Sequence, residues 1–145
     1  MSGARSSLDW HAIAVGDELP VMVIPLTPTR VVAGALATRD FMPVHHDRDY
    51  AVGQGASDIF MNILSDTAYC SRFLTDWAGP DAMVQHLAIR LGVPAAAGCT
   101  LTYTGSVTAT SREGSDGIVE VELCAENELG EHLRGKAGLS LPLDR

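Results

Sequence analysis

The chain has 145 residues, of which 46% are hydrophobic and 19% are charged, so it can bury one core and is not a disordered chain. A formal net charge of -8 argues against sequence-independent binding to nucleic acid, which depends on Lys and Arg neutralising phosphates. No apolar stretch approaches the roughly 20 residues of a membrane span. We therefore expect one domain over residues 1–145, with a loose lead-in over residues 1–16.

The N-terminus and the cysteines indicate the cellular compartment. Met1–Trp10 lacks the apolar block of a secretory signal, which predicts a cytoplasmic protein. Cys70, Cys99 and Cys124 are odd in number, widely spaced and in no C-x-x-C arrangement. We expect small buried thiols rather than a disulfide framework or a zinc site.

The first predicted elements are short. Val21–Leu26 and Val31–Thr38 are β-branched and apolar, and with Thr27-Pro28-Thr29 between them they are predicted as two extended segments. From Asp40 to Gly55 the periodicity is lost, and Pro43, two histidines and several charges predict a structured loop with one helical turn.

One long helix is predicted over Asp58–Trp77, with Ser57 as its N-cap and Gly79-Pro80 as its stop. Residues recur at helical spacing in the stripe Ile59, Ile63, Thr67, Cys70, Leu74 and Trp77. Further apolar residues lie off this stripe, namely Phe60, Leu64 and Ala68. The helix should therefore be buried on more than one side.

Alternating residues predict strands in the last third of the chain. The first strand would place on one face Met83, Leu87, Ile89 and Leu91. The second would place Leu101, Tyr103, Gly105, Val107 and Ala109 on one face, and on the other a row of Thr and Ser from Thr100 to Thr110. Two more strands alternate in the same way, over Val119–Ala125 and Leu133–Leu141.

The last two strands carry matching charges. A turn at Asn127–Gly130 would set Glu122 opposite Arg134, Glu120 opposite Lys136, and Leu123 opposite Leu133. Antiparallel strands that follow one long helix give an α+β layout in which the sheet must curl around the helix. This is the layout of a single hotdog domain.

The densest polar cluster runs from Arg39 to Ala51. Asp40 and His45, with Pro43 between them, could converge on one small molecule such as water. A solvated loop whose charges pair locally explains the spacing about equally well. A metal site is disfavoured, because adjacent residues on an extended segment point apart and no further Cys or His lies nearby.

The same cluster carries a family resemblance. Asp40-Phe41-Met42-Pro43-Val44-His45-His46-Asp47, followed by Tyr50-Ala51 and Gly55, resembles the D-x-N-P-x-H-x-D…YA…G signature of MaoC-like enoyl-CoA hydratases. Leu91-Gly92-Val93-Pro94 is similar to the start of a second stretch that these proteins share, which continues here with Gly98, Leu101, Gly105 and Val107. Residues 35–80 look most like the small MaoC-like subunit of actinobacterial steroid side-chain hydratases, which work with a larger MaoC-containing partner.

The resemblance implies roles for three residues. Asp40 and His45 would be the catalytic pair that holds and activates water, although Met42 stands where the family has an Asn that braces the loop. The family's His-Gly-Met stretch corresponds to Met61-Asn62-Ile63, so the backbone N–H of Asn62 is the candidate oxyanion donor at the start of the long helix. No cofactor and no metal are expected.

The implied reaction is addition of water across the 2,3-trans double bond of an enoyl-CoA, with a steroid side-chain thioester as substrate. The implied partner is a second MaoC-like subunit, in a heteromer such as a heterotetramer, with neither nucleic acid nor membrane bound. A homodimeric (R)-specific hydratase acting on ordinary acyl chains, a hotdog thioesterase and a non-catalytic acyl-CoA-binding or scaffolding subunit are the alternatives. The Thr-rich face of Thr100–Thr110 also suits a partner better than open water.

Other residues receive structural interpretations. His86 and His132 are expected to be structural or exposed, and Trp77 and Tyr103 to lie in the core. Arginines 39 and 48 flank the motif and could meet a CoA phosphate or pair with neighbouring acids such as Asp49.

Overall fold

A computed structural model describes residues 6–144, in which one antiparallel sheet curves around one long helix. The strands are β1 (Met22–Pro25), β2 (Met83–Leu91), β3 (Thr100–Glu113), β4 (Asp116–Asn127) and β5 (Gly130–Pro142), and they lie in the order β1-β3-β4-β5-β2. The helices are α1 (Pro28–Ala37), α2 (Arg48–Gly53) and α3 (Ile63–Ala78), with 3-10 turns at Trp10–Ala12 and Pro43–His45. The predicted α+β layout is confirmed.

The core lies between α3 and the inner face of the sheet. Helix α3 contributes Cys70, Phe73, Leu74 and Ala78, all of them buried. Phe73 packs against Tyr103 of β3, with the two ring centroids 6.0 Å apart. The predicted inward residues of β4 and β5 are also buried, because every second side chain faces the helix: Val119, Val121, Leu123, Ala125, Leu133, Ala137, Leu139 and Leu141.

The prediction of an extended segment over Val31–Thr38 is wrong, because these residues belong to α1 and its C-cap. The Thr27 hydroxyl accepts a hydrogen bond from the Arg30 N–H at 3.2 Å, and Pro28 occupies the first turn. Thr-Pro is therefore a helix start here rather than a turn between strands. The β-branched Val31 is tolerated because it packs into the core together with Ala35, one turn further on.

The long helix begins at Ile63 rather than at Asp58. Asn62 is the N-cap, and its side-chain oxygen accepts from the Ser65 N–H at 3.0 Å. Residues 59–61 are instead extended and pair with residues 95–97: the Met61 N–H donates to the Ala95 carbonyl at 2.9 Å. As a result Ile63 and Leu64, expected in the core, are about half exposed.

Two bulges change which residues face the core. The register shifts between Val107 and Ala109, so Ala109 turns outward and Thr110 pairs with Val119. A second shift between Val84 and His86 turns Met83 outward, whereas Leu87 and Ile89 keep the inward face predicted for them. A bulge inserts one residue into a strand and so changes which side chains face the core beyond it. Alternation along the sequence does not show where such a residue is inserted.

The turn between β4 and β5 lies where predicted, but the pairing differs by two residues. Glu122 pairs with Lys136, with the carboxylate and ammonium atoms 3.1 Å apart, and Cys124 lies opposite Arg134. Leu123 lies opposite Gly135 rather than Leu133. An irregularity between Ala125 and Glu126 accounts for one residue of this difference and the position of the turn accounts for the other. An even shift leaves every side chain on its predicted face.

The described part of the lead-in makes hydrogen bonds to the rest of the fold. Leu8 N–H donates to the Ala78 carbonyl at 2.9 Å, and the Trp10 indole N–H donates to the Ile118 carbonyl at 3.1 Å. The expectation for residues 1–5 lies outside the described residues. No helix within residues 6–144 has both the length and the apolar character to cross a membrane.

Candidate active site

Asp40 is positioned by the end of α1. The Asp40 N–H donates to the Ala35 carbonyl at 2.9 Å and the Arg39 N–H donates to the Leu36 carbonyl at 3.1 Å, which is the Schellman pattern that closes a helix. Arg39 takes the left-handed conformation, with φ +57°, that a glycine usually adopts at this position. Asp40 therefore lies at a fixed position immediately after the end of α1.

His45 is buried in the 3-10 turn Pro43–His45, with 7% of its surface exposed. Its Nδ1 lies 2.7 Å from the Phe60 carbonyl oxygen. A carbonyl only accepts, so Nδ1 carries a hydrogen and Nε2 is the nitrogen available for chemistry. Nε2 lies 3.4 Å from Asp40 Oδ2, which brings the two predicted catalytic residues together.

Asn62 joins this pair through its side chain. Its Nδ2 donates to Asp40 Oδ2 at 3.0 Å and to the Thr38 hydroxyl at 2.8 Å, while its oxygen caps α3. The Thr38 hydroxyl in turn donates to the Gly34 carbonyl at 2.8 Å. The sequence-based prediction gave Asn62 only a backbone role and did not include Thr38. Both contacts of the Asn62 amide join residues more than 20 positions apart, and such contacts leave no local pattern in a sequence.

This arrangement favours the ionised form of the Asp40 carboxyl. The hydrogen bond from the Asn62 side chain, then that from the Met42 backbone N–H, lower the pKa of Asp40 below its ordinary value. The Met42 N–H lies 3.3 Å from Asp40 Oδ1. Position 42 has no amide side chain, and the Asn62 amide supports the Asp40 carboxylate from another element.

The start of α3 leaves backbone donors free. Among residues 6–144, the N–H groups of Asn62, Ile63 and Leu64 donate to no other group. These groups lie at the positive end of the helix dipole. They can stabilise an oxygen on which negative charge develops.

An apolar groove of about 250 Å³ adjoins the site between α1 and α3. Thr38 belongs both to this groove and to the hydrogen-bond network of Asp40. The other lining residues are the small Gly34, Ala37, Ser65 and Ala68, together with Tyr69 and Arg72. The groove can take the hydrocarbon part of a ligand whose reacting end lies at Asp40.

The remaining residues of interest lie apart from Asp40. Arg48 pairs with Asp58 at 3.3 Å rather than with Asp49, and His86 pairs with Glu120 at 3.2 Å. Tyr103 is in the core as predicted, whereas Trp77 is only partly buried against it. In the described part of the chain, no cluster of three His, Cys, Asp or Glu could hold a metal ion.

Comparison with known proteins gives one strong sequence match. The chain is 48% identical over 127 residues, 88% of its own length and 95% of the relative, to the 3-oxo-4,17-pregnadiene-20-carboxyl-CoA hydratase beta subunit of Mycobacterium tuberculosis (strain ATCC 25618 / H37Rv). No family model matches the chain.

Solved structures agree with this match. A chain of the ChsH1-ChsH2 complex from Mycobacterium tuberculosis is 47% identical, with 88% of this chain and 98% of that chain covered and a TM-score of 0.83. An (R)-hydratase from A. caviae involved in PHA biosynthesis has a TM-score of 0.81 at 20% identity, over 90% of this chain and 98% of that one. At that identity the likeness concerns the fold alone, which is the predicted hotdog.

Proposed function

The chain belongs to the MaoC-like CoA hydratases, and from this premise we propose that it is the subunit of an enoyl-CoA hydratase that adds water to a steroid side-chain thioester. The observation that carries the proposal is that His45 and Asn62 both reach the Asp40 carboxylate beside the start of α3, at 3.4 Å and 3.0 Å. Three polar side chains from three different elements meet there beside unpaired backbone donors.

Asp40 and His45 are suited to hold one water molecule. The Asp40 carboxylate and the Nε2 of a neutral His45 are both acceptors, so they can take the two hydrogens of the same water and leave an oxygen lone pair directed at C3. The hydroxyl adds to C3 while the pair takes one proton from the water. A proton from the pair is then returned to C2, and the site ends as it began.

The thioester oxygen needs a donor while charge builds up between C2 and the carbonyl. We assign this role to the backbone N–H of Asn62, at the first turn of α3. The absence of an acceptor for this N–H among residues 6–144 supports the assignment. The same residue would then serve the reaction twice, with its side chain on Asp40 and its backbone on the substrate.

The surroundings of Asp40 favour a bulky apolar acyl group. The groove between α1 and α3 is lined mainly by carbon. Exposed apolar side chains also lie beside the site, namely Phe41, Met42, Ile63 and Leu64. The relative is named for a pregnadiene-carboxyl-CoA substrate, which is a thioester of this kind. A steroid side-chain enoyl-CoA is therefore the proposed substrate.

We also propose that a second MaoC-like subunit completes the enzyme. Strand β2 is an edge of the sheet, and Met83 and Leu91 at its two ends are exposed apolar residues. The related chain of known structure comes from a two-component complex. A partner on this edge would cover these residues.

The proposed reaction needs no cofactor, because the acid–base groups belong to the chain and the substrate supplies the activating thioester. A cytoplasmic location is part of the proposal, and it fits a CoA-thioester substrate.

The proposal is tested by co-expressing the chain with its candidate MaoC-containing partner and following the absorbance of a conjugated enoyl-CoA. We expect the co-purified complex to consume a steroid side-chain enoyl-CoA, and the complex with Asp40→Asn to be nearly inactive. Consumption of linear enoyl-CoA by a homodimer of this chain alone would favour the homodimeric alternative. A complex inactive on both substrates would contradict the proposed reaction.

A further inference from the structure

A second Asp–His pair lies buried one turn further along α3. Asp66 is fully buried and His132 is 2% exposed, and His132 Nε2 lies 2.8 Å from Asp66 Oδ1. The other ring nitrogen, Nδ1, lies 2.6 Å from the Val93 carbonyl oxygen. The hydration mechanism proposed for Asp40 and His45 makes no use of this pair.

Hydrogen positions in the pair follow from its partners. The Val93 carbonyl only accepts, so Nδ1 of His132 donates to it, and the contact between Nε2 and Oδ1 then contains one further proton. The pair is neutral as a whole, whichever atom holds that proton. Burial raises the pKa of Asp66, and the contacts of His132 with Asp66 and Val93 outweigh burial and raise the pKa of His132.

The Asp66–His132 pair is not well suited to stabilising the fold. Asp66 Oδ2 is buried and has no hydrogen-bond partner among residues 6–144, which leaves a desolvated acceptor unsatisfied. A buried ionic pair is often no more stabilising than apolar residues of the same volume. The contacts of His132 point to a role other than stability.

The contacts of His132 connect it to His45 through two paired segments. Val93 opens the segment 93–97, whose residues 95–97 pair with residues 59–61 through the bonds Met61 N–H to Ala95 carbonyl and Ala97 N–H to Ile59 carbonyl, at 2.9 Å and 2.8 Å. In the middle of that pairing, Phe60 lies opposite Ala96. The Phe60 carbonyl is the acceptor that selects the Nδ1–H form of His45.

We propose that Asp66 and His132 are positioning residues for His45. Through Val93 they fix the segment 93–97, and through it the Phe60 carbonyl that holds His45 with Nε2 free. The kinetic part of this inference rests on the proposed hydratase function, whereas the structural coupling does not depend on it.

Two Asp66 variants and one control distinguish a role in positioning His45 from a role in stability alone. Asp66→Ala removes the partner of Nε2, whereas Asp66→Asn keeps an amide that can donate to Nε2 of a neutral His132 and leave Nδ1–H on Val93. Val121→Ala is the matched control, since it truncates a buried β4 side chain that has no place in this chain of contacts. All variants are measured in the complex with the partner subunit.

The readouts are the ¹⁵N shifts of the His45 ring and the steady-state constants. We expect Asp66→Ala to mix the His45 tautomers and to lower kcat about 10- to 100-fold with little change in KM, as displacement of a catalytic group does. Asp66→Asn should stay within about threefold of wild type in kcat, and Val121→Ala should leave the His45 shifts unchanged.

Unchanged His45 shifts and kcat in Asp66→Ala would overturn the proposal, as would an equal loss of kcat in Val121→Ala. If Asp66→Ala does not fold, His132→Asn and His132→Gln replace it. The Asn amide lies nearer the position of Nδ1 and should keep the Val93 bond and the His45 shifts, whereas Gln should not; the reverse order would also overturn the proposal. A wild-type complex without hydratase activity would refute the proposed function, while the ring shifts still decide the coupling.

Discussion

Asp40 and His45 are neighbours in space, whereas His46 is exposed and lies outside the hydrogen-bond network of Asp40. We predict that Asp40→Asn and His45→Ala each lower kcat about 10²- to 10⁴-fold, the usual contribution of a general acid or base. His46→Ala should stay close to wild type. Steady-state kinetics on folded variants, checked by circular dichroism, measure this ranking, and a larger loss for His46→Ala would refute it.

Asn62 combines two tasks that one substitution can separate. Ser caps a helix about as well as Asn but cannot reach Asp40 with an amide. In Asn62→Ser we therefore predict little change in stability and a pKa of Asp40 that rises toward its ordinary value, because the largest cause of its lowering is gone.

The pH dependence of Asn62→Ser tests the direction of this change in the pKa of Asp40. A carboxylate with a lowered pKa stays ionised until the pH falls below its ordinary value, so the acid limb of kcat/KM caused by Asp40 should move to higher pH in Asn62→Ser. Asn62→Ala should in addition lose about 1 kcal/mol of stability with its cap. An acid limb that does not move would mean that Asn62 does not control Asp40.

Between elements, the close approach of α1 to α3 depends on Gly34. A Cβ at Gly34 would collide with the Ser65 hydroxyl and lie 3.2 Å from the Ser65 Cβ. Gly34→Ala should therefore push α1 away from α3, cost about 1–3 kcal/mol as overpacking does, and lower kcat by shifting Asp40 at the end of α1. Adding Ser65→Ala should recover part of both losses, as measured by chemical denaturation and kinetics. No recovery in the double variant would show that the collision is elsewhere.

The predictability of each element depended on how local its cause is. The strands β2 to β5 follow from alternation, and Asp40 with His45 from a motif five residues apart. Helix α1 was missed because its β-branched residues mimic a strand, and bulges were missed because a single inserted residue leaves no period. The amide of Asn62 on Asp40 and the pair of Asp66 with His132 join residues 22 and 66 positions apart, which no local pattern encodes.

For the molecule as a whole, the five strands found within residues 6–144 join one sheet over one core, and from this we infer that these residues form one domain. A chain of net charge -8 has few cations to offer a polyanionic CoA. The partner subunit would therefore supply part of the CoA site. The chain alone should be weakly active or inactive.

The proposed assembly with a partner subunit through β2 can be tested by substitution of exposed apolar residues. Met83 is 64% exposed on the edge strand β2, and Leu129 is 69% exposed in the turn between β4 and β5. Met83→Lys should lower the fraction of heteromer seen by light scattering, because a charge on an edge strand opposes pairing, whereas Leu129→Lys should not. Equal effects of the two variants, or a fully active monomer, would contradict assembly through β2.

The late start of α3 determines which backbone groups remain available to the site. Had the helix begun at Asp58, the Phe60 carbonyl would have accepted the Leu64 N–H inside the helix, and the N–H groups of residues 62–64 would have been consumed in its second turn. Because the extended segment continues to Met61, that carbonyl is left for His45 and those amides are left at the surface of the site. The residue at which the helix starts thus supplies an acceptor and donors together, and an insertion or deletion between Ile59 and Asn62 would remove both without altering Asp40 or His45.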